Sequence, residues 1–432
     1  MPTMNKAAAP HMAPPASALP QGQRSDNFRM LRNIRVLDLT TSIAGPYATM
    51  LLADFGAEVI KVERPLGDDA RHWGPPFLDH ESLWFLSVNR NKKSVRLDGT
   101  TPEGRAVMKD LIAKSDVLIT NQLGSVQRKL GLDAATLRAE RPDLVHVSLT
   151  GFGIEGPNAA LPCYDLIAEG YSGVMDLTGS PDGAPQKVGT PAADMLAGSD
   201  AALAVLAALH KRTATGEGCS IDIALTESMI RFMSPRIVPY LGSGEVSRRS
   251  GGKDSVIAIY TTFDTADEPM TLALGNDAIW RRFWEAVGEP LSANDPHLAT
   301  NADRRKCRNE IAERIQTILL RRPRAEWLAL LSKAKVPAGP IYRVDEVVQD
   351  PHFLSRSVFY RIERDGHDIP QVNLGIHIDG QAAGYHLPPP RLGEHSEQVL
   401  RDLLGYDDKA IGALRDCGAI SAKDQESGKE TL

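Results

Sequence analysis

Between residues 34 and 150 the chain alternates short β-branched apolar runs with amphipathic helical stretches, and few architectures accommodate that pattern. "IRVLDLT" predicts a buried strand, "GPYATMLLADFGA" a helix closed by glycine, and "EVIKVE" a second strand. The alternation continues through "SVRLD", a helix opened by Thr101 with Pro102 in its first turn, "DVLIT", a short helix near 133 to 140, and "LVHVSLT". Strands separated by helices cannot be joined by hairpins, so they are expected to lie parallel. The expected fold class is α/β, with a doubly wound, Rossmann-like parallel sheet whose ligands bind in loops past the carboxyl ends of the strands.

At 432 residues the chain exceeds what one hydrophobic core supports, and more than one domain is expected. Residues 1–27, rich in Ala and Pro, read as a disordered tail, and 28–225 as the first part of a large domain. Past residue 151, glycine- and proline-rich loops flank two helices, beginning near Tyr164 and Asp194. Residues 226–249, interrupted by Pro235, read as a linker. Residues 250–345 read as a smaller α+β domain, with strands "VIAIYTTF" and "MTLALG" and three helices after them. Residues 346–432 read as a return linker and a C-terminal part of the large domain.

A formal charge of −6, from 49 basic and 55 acidic residues, provides no field to attract nucleic acid or an anionic membrane. No window reaches the roughly 18 to 20 uninterrupted apolar residues of a membrane helix. The N-terminal stretch lacks the apolar run of a secretory signal. The four cysteines are widely scattered without zinc-ligand spacing, which fits a reducing cytoplasm and predicts no metal site.

Two motifs mislead. "GFGIEGP" supplies a literal G-x-G-x-x-G after a strand, but Pro157 and "NAALP" follow where a dinucleotide fold would start its helix, so a glycine-rich active-site loop is the better reading. "EGYSGVM" does not make the G-x-S-x-G elbow of a serine hydrolase. Carboxylate chemistry without a metal is left, and two acids stand at predicted helix starts: Asp165 in "CYDLIAEGYSGVMDLTG" and Asp194 in "GTPAADMLAGSDAALAVLAAL". Each is open to two readings, as a cap on the free N–H groups of a first turn or as a reacting group. Basic residues gather near strand ends, namely Lys61, Arg64, Arg71, Arg90, Lys92 and Lys93, followed by Arg128 and Lys129. Each taken alone is a solvated surface charge; several together at the carboxyl edge would hold a polyphosphate.

Several motifs in order resemble the class III CoA-transferases, the family that includes formyl-CoA, carnitine and succinate–hydroxymethylglutarate CoA-transferases. They are "VLDLTTSIAGPYATMLLADFGAEVIKVERP", "SVNRNKKSVRLD", "SLTGFGIEGP", "YDLIAEGYSGVMDLTG", "ADMLAGSDAALAVLAALHKRTATGEG", "VPAGPI" and "LGEH". The resemblance covers about residue 30 to 420. It implies an enzyme that moves CoA from an acyl-CoA to a carboxylic acid, with acyl-CoA as substrate and no permanently bound cofactor. It also implies a ring-shaped chain in an interlocked homodimer.

By the same resemblance Asp194 is the nucleophile, forming a mixed anhydride and then an aspartyl-CoA thioester. A helix N-terminus would keep such a carboxylate ionised. Asp165 is then a supporting acid. The resemblance places Thr41, Ser42, Ile43 and Ala44 beside the nucleophile and the pantetheine arm. It places Arg64, Leu97, Asn121, Lys129 and Tyr164 among the CoA contacts, and a glycine-rich lid at Gly251 and Gly252. The family's racemase branch carries a histidine where Tyr164 stands, and a phenol is a poor base near neutral pH; a racemase and an inactive CoA-binding relative are the alternatives. Ile43 replaces a glutamine of formyl-CoA transferase, which argues against formyl-CoA and oxalate. The stretches "YDLIAEGYSGVMDLTG" and "LGYDDKAIGALRDCGAI" favour a short dicarboxylic substrate.

Overall fold

The computed structural model describes residues 16–24, 28–254 and 256–420. Its chain divides into two compact units, one made of residues up to 172, 189–233 and from 348 onward, the other of 173–188 and 234–347.

Six strands form the sheet of the first unit: Arg35–Leu39 (β1), Glu58–Glu63 (β2), Lys92–Arg96 (β3), Val117–Thr120 (β4), Val145–Thr150 (β5) and Cys219–Ala224 (β6). Every neighbouring pair is parallel, in the order β3-β2-β1-β4-β5-β6. The order reverses between β1 and β4, and the crevice above such a switch point is where doubly wound sheets bind ligands. β4 and β5 are buried along their whole length, as expected of parallel strands covered on both faces.

The helices begin where local chemistry allows. Ala44–Asp54 (α1) follows β1, and Pro102–Ala113 (α2) starts at Thr101, whose hydroxyl accepts from the N–H of Gly104. Gly124–Leu130 (α3), capped by left-handed Gly131, and Ala134–Glu140 (α4), capped by Asp133, follow β4. Asp165–Ser172 (α5) and Ala192–Thr215 (α6) come next, and Leu225–Phe232 (α7) follows β6.

Helix α6 has 24 residues, and an 18-residue window in it reaches a mean hydropathy of 1.5, so by length and composition it could cross a membrane although Asp194 and Asp200 interrupt its apolar run. Here it is a core helix whose buried face carries Ala193, Ala197, Ala201 and Val205. A Cβ on Gly198 would sit 2.6 Å from the Ala44 carbonyl oxygen, so α1 and α6 approach almost backbone to backbone. The last two helices, Ser396–Asp402 (α8) and Asp408–Asp416 (α9), insert Val399, Leu400, Ile411 and Leu414 into the cluster that holds Leu37, Ile60 and Val95.

Other bounds moved. Residues 20–24, expected in a disordered tail, pair instead with residues 361 and 385: the Gly22 N–H donates to the Arg361 carbonyl, and the Tyr385 N–H to that of Gln23. The rest of that expected tail, 1–15 and 25–27, lies outside the described residues. The expected linker is helical, with a break at Met233 before Ser234–Ser243. Residues 173–188, expected in the large domain, group with the second unit.

In that second unit three antiparallel strands, Tyr260–Phe263, Met270–Ala273 and Ala338–Pro340, pack with helices around Trp280, Phe283, Trp284 and Trp327. Gly251 has a φ of +64° and donates its N–H to the Gly179 carbonyl within the same unit.

Candidate active site

At the switch point, the chain leaving β1 turns through Thr40, Thr41 and Ser42 before entering α1. Thr41 and Asn121 lock the two diverging loops together: the Thr41 N–H donates to Asn121 Oδ1 at 3.2 Å, and Asn121 Nδ2 donates to the Thr41 carbonyl at 2.9 Å. Ser42 has a φ of +72°, a left-handed conformation uncommon outside glycine. Its N–H donates to Asp68 Oδ1 at 2.9 Å, and Asp68 is in turn paired with buried Lys61 at 2.8 Å. Lys61 Nζ also reaches the Thr40 carbonyl at 2.8 Å. A fully buried ion pair thus holds the strained turn, as strain at functional loops requires.

Over this turn lies a cavity of about 280 Å³ walled in part by Thr41, Ser42, Asn121, Thr150, Tyr164 and Asp194. Gly198 is one turn beyond Asp194 on the same face of α6 and presses on Ala44, so packing of α6 against α1 brings Asp194 to the Ser42 turn. Gly151 joins the opposite wall. A Cβ there would meet the Cys163 Cβ at 2.0 Å, so the first glycine of "GFGIEGP" allows close approach to the segment leading into α5.

Asp194 does not cap its own helix, which corrects that reading. It is the third helical residue; the residue before the helix is Pro191, which makes no side-chain cap. The capping carboxylate is Asp165, whose Oδ1 accepts from the N–H of Ala193 at 2.8 Å and of Asp194 at 3.3 Å. Among the described residues Asp194 has no hydrogen-bond donor and no cation on its own carboxylate. Burial, then the nearby Asp165 charge, raise its pKa from 3.8 to about 7, opposite to the lowering expected from the helix N-terminus. Beside it, burial and then the Asp194 charge push the Cys163 thiol up to about 11.

Of the residues expected in the site, Thr41, Ser42, Ala44, Asn121, Tyr164 and Asp194 line this cavity. Ile43 does not: it is buried in a cluster with Met50 and Val88. Leu97 is in the main core. Arg64 is exposed and pairs with Asp69 at 2.9 Å, and Lys129 is exposed in the last turn of α3.

The expected polyphosphate cluster is mostly spent on buried pairs. Lys92 pairs with Asp38, Lys61 with Asp68, Arg71 with Glu63 and Arg90 with Asp54, while Lys93 pairs with Glu58 in a half-buried position. Burial lowers Lys92 to about 8 despite Asp38, while Asp38 is held well below the carboxylate range by Lys92 and Lys61 against its own burial. The reason for the correction is that parallel strands buried on both faces need these charges neutralised internally. Arg64, Arg128 and Lys129 are the exposed members.

The sequence reading missed Thr150, Cys163 and Asp69 on the cavity wall. A signal existed for Thr150, the last residue of a parallel strand before a glycine, but none for Asp69, whose place follows from the Asp68 turn.

A doubly wound sheet with a cavity and an unpartnered acid at its switch point defines an α/β protein with a candidate ligand site. The chain matches CoA-transferase family III over residues 31–396 and belongs to that family. It is 39% identical to a succinate–glutarate CoA-transferase of Agrobacterium fabrum, over 86% of this chain and 95% of the relative. It is 34% identical to the succinyl-CoA:glutarate CoA-transferase of Homo sapiens, over 91% of each. Among solved structures, a CAIB/BAIF family protein from Brucella suis superposes with a TM-score of 0.77 at 36% identity, covering 87% of this chain and 99% of that one. The chain is a class III CoA-transferase.

Proposed function

We propose that the protein transfers CoA from succinyl-CoA to a short dicarboxylic acid of the glutarate type, through covalent intermediates on Asp194. The observation that carries the reading is the state of that carboxyl: half-buried on the cavity wall, without donors, its pKa raised to about 7. A carboxylate stripped of hydrogen bonds is a stronger nucleophile than a solvated one, and a pKa near 7 leaves a large fraction ionised at neutral pH.

Asp194 attacks the thioester carbonyl, and the C–S bond breaks to give an aspartyl–succinyl anhydride and CoA thiolate. The thiolate attacks the aspartyl carbonyl and releases succinate, leaving an aspartyl-CoA thioester. The acceptor carboxylate attacks that thioester and again expels thiolate, which then takes the new acyl group and frees Asp194. No proton and no redox equivalent is consumed. Asp165 keeps the first turn of α6 in place by binding the Ala193 and Asp194 N–H groups, so the nucleophile is oriented while its own oxygens stay open. The cavity wall includes no histidine, which favours transfer over α-proton exchange.

We assign CoA's phosphates to the exposed Arg64, Arg128 and Lys129, and the choice of a dicarboxylic substrate rests on the named relatives. The four free cysteines suit a reducing cytoplasm. Exposed Leu166, Ile167, Tyr171 and Phe232 on α5 and α7 suit a homodimer, a part of the reading that a purely monomeric sedimentation profile would overturn. The central test is trapping: succinyl-CoA followed by hydroxylamine should place a hydroxamate on the Asp194 peptide. Normal turnover by Asp194→Ala, with no modified peptide in the unaltered enzyme, would refute the reading.

A further inference from the structure

Thr150 ends β5 on the wall of the Asp194 cavity, and its hydroxyl has no partner. The residue is 5% exposed, and its Oγ1 is buried without a hydrogen bond. Buried hydroxyls in native folds are almost always satisfied, so an orphan in a ligand cavity calls for a cause.

Other polar groups on the same wall are engaged elsewhere. The Gly151 carbonyl accepts both the N–H of Thr226 at 3.1 Å and its hydroxyl at 2.9 Å. Asn121 is committed at both ends to Thr41, Asp69 to Arg64, and the Cys163 thiol to the Tyr164 carbonyl. The cavity is therefore walled by one carboxyl without a donor, Asp194, and by Thr150, whose buried hydroxyl lacks an acceptor. They do not bond to each other. A ligand group that is electrophilic at carbon and gains negative charge at oxygen would satisfy both, and a thioester carbonyl under attack is such a group.

We propose that Thr150 is a catalytic residue that donates its hydroxyl hydrogen bond to the oxyanion formed when Asp194 adds to the thioester carbonyl. The proposal rests on Asp194 being the nucleophile. In the step, the Asp194 oxygen bonds to the carbonyl carbon, the C=O π pair moves onto oxygen, and Thr150 O–H bonds to that oxygen without giving up its proton. When the C–S bond breaks, the pair returns and the thiolate leaves. The bond strengthens as charge develops, so its contribution falls on kcat more than on KM. Gly151 supports this by pinning the end of β5 against Cys163, two residues before the Asp165 that anchors the nucleophile's helix.

Thr150→Val, nearly isosteric, and Thr150→Ser, which keeps the hydroxyl, test it with succinyl-CoA and glutarate. Thr150→Val should lower kcat about 100-fold with KM changed by less than about 3-fold, and its melting temperature should hold or rise, because the lost hydroxyl bonds nothing in the free protein. Thr150→Ser should recover kcat to within about 5-fold of the unaltered enzyme. The proposal is overturned by a Thr150→Val enzyme that keeps its kcat, by a lowered melting temperature in Thr150→Val, which would make the hydroxyl structural, or by a serine variant as slow as the valine one. Hydroxylamine trapping separates the two readings: an Asp194 adduct together with an undiminished Thr150→Val kcat removes the Thr150 role alone, whereas no adduct in the unaltered enzyme removes both.

Discussion

Replacing Asp165 by Asn removes one negative charge from the neighbourhood of the Asp194 carboxyl while leaving an oxygen where the Ala193 and Asp194 N–H groups donate. The carboxyl of Asp194 is raised from 3.8 to about 7, with burial the larger cause and the Asp165 charge the second. The charge therefore accounts for less than half of the rise, and its loss should bring the apparent pKa down by about 1 pH unit and by no more than about 1.6. The assay is the pH dependence of kcat/KM for transfer from succinyl-CoA, which reports ionisations of the free enzyme. With a pKa near 7 roughly a tenth of the carboxyl is ionised at pH 6, and with a pKa near 6 about half, so the rate at pH 6 relative to pH 8 should rise about 5-fold. Absolute rates should fall modestly, because a neutral amide caps the helix more weakly than a carboxylate. An acid limb that stays in place or moves to higher pH would show that Asp165 does not act on Asp194 through its charge.

Two further outcomes follow from the same electrostatics. Asp194→Asn should be inactive yet more stable at pH 8. The folded chain holds the Asp194 proton up to about 7 and the unfolded chain only to its ordinary 3.8, so the unaltered fold loses stability as pH rises through that window. After allowance for partial exposure the variant should gain about 2 kcal/mol in denaturant titrations at pH 8, shrinking toward zero near pH 4, and equal stabilities at both pH values would contradict the burial argument. Asp68→Asn should cost about 3 kcal/mol in urea unfolding, because it leaves Lys61 buried without its 2.8 Å counter-ion beside the strained Ser42 turn; a loss below about 1 kcal/mol would mean that Asp38 and Glu63 neutralise Lys61 unaided.

Local pattern made much of the fold legible. The period of the apolar residues placed five of the six strands of the main sheet, all but β6, and Thr101 announced the helix it caps. These features depend on residues a few positions apart, and such neighbours meet whatever the rest of the chain does. The family resemblance added the chemistry that no spacing could supply.

What the tertiary structure decided involves partners far apart in sequence. Asp165 reaches across 28 residues to cap the helix of Asp194, Lys92 crosses 54 to neutralise Asp38, and Arg90 crosses 36 to Asp54. Sequence reading assigned the basic residues to solvent or phosphate and the cap to Asp194 itself, because it cannot see which charges the sheet buries together. The strand order that opens a crevice between β1 and β4, the raised pKa of Asp194 and the orphaned hydroxyl of Thr150 are likewise products of packing. Desolvation is set by everything that surrounds a group, and only the folded chain specifies those surroundings.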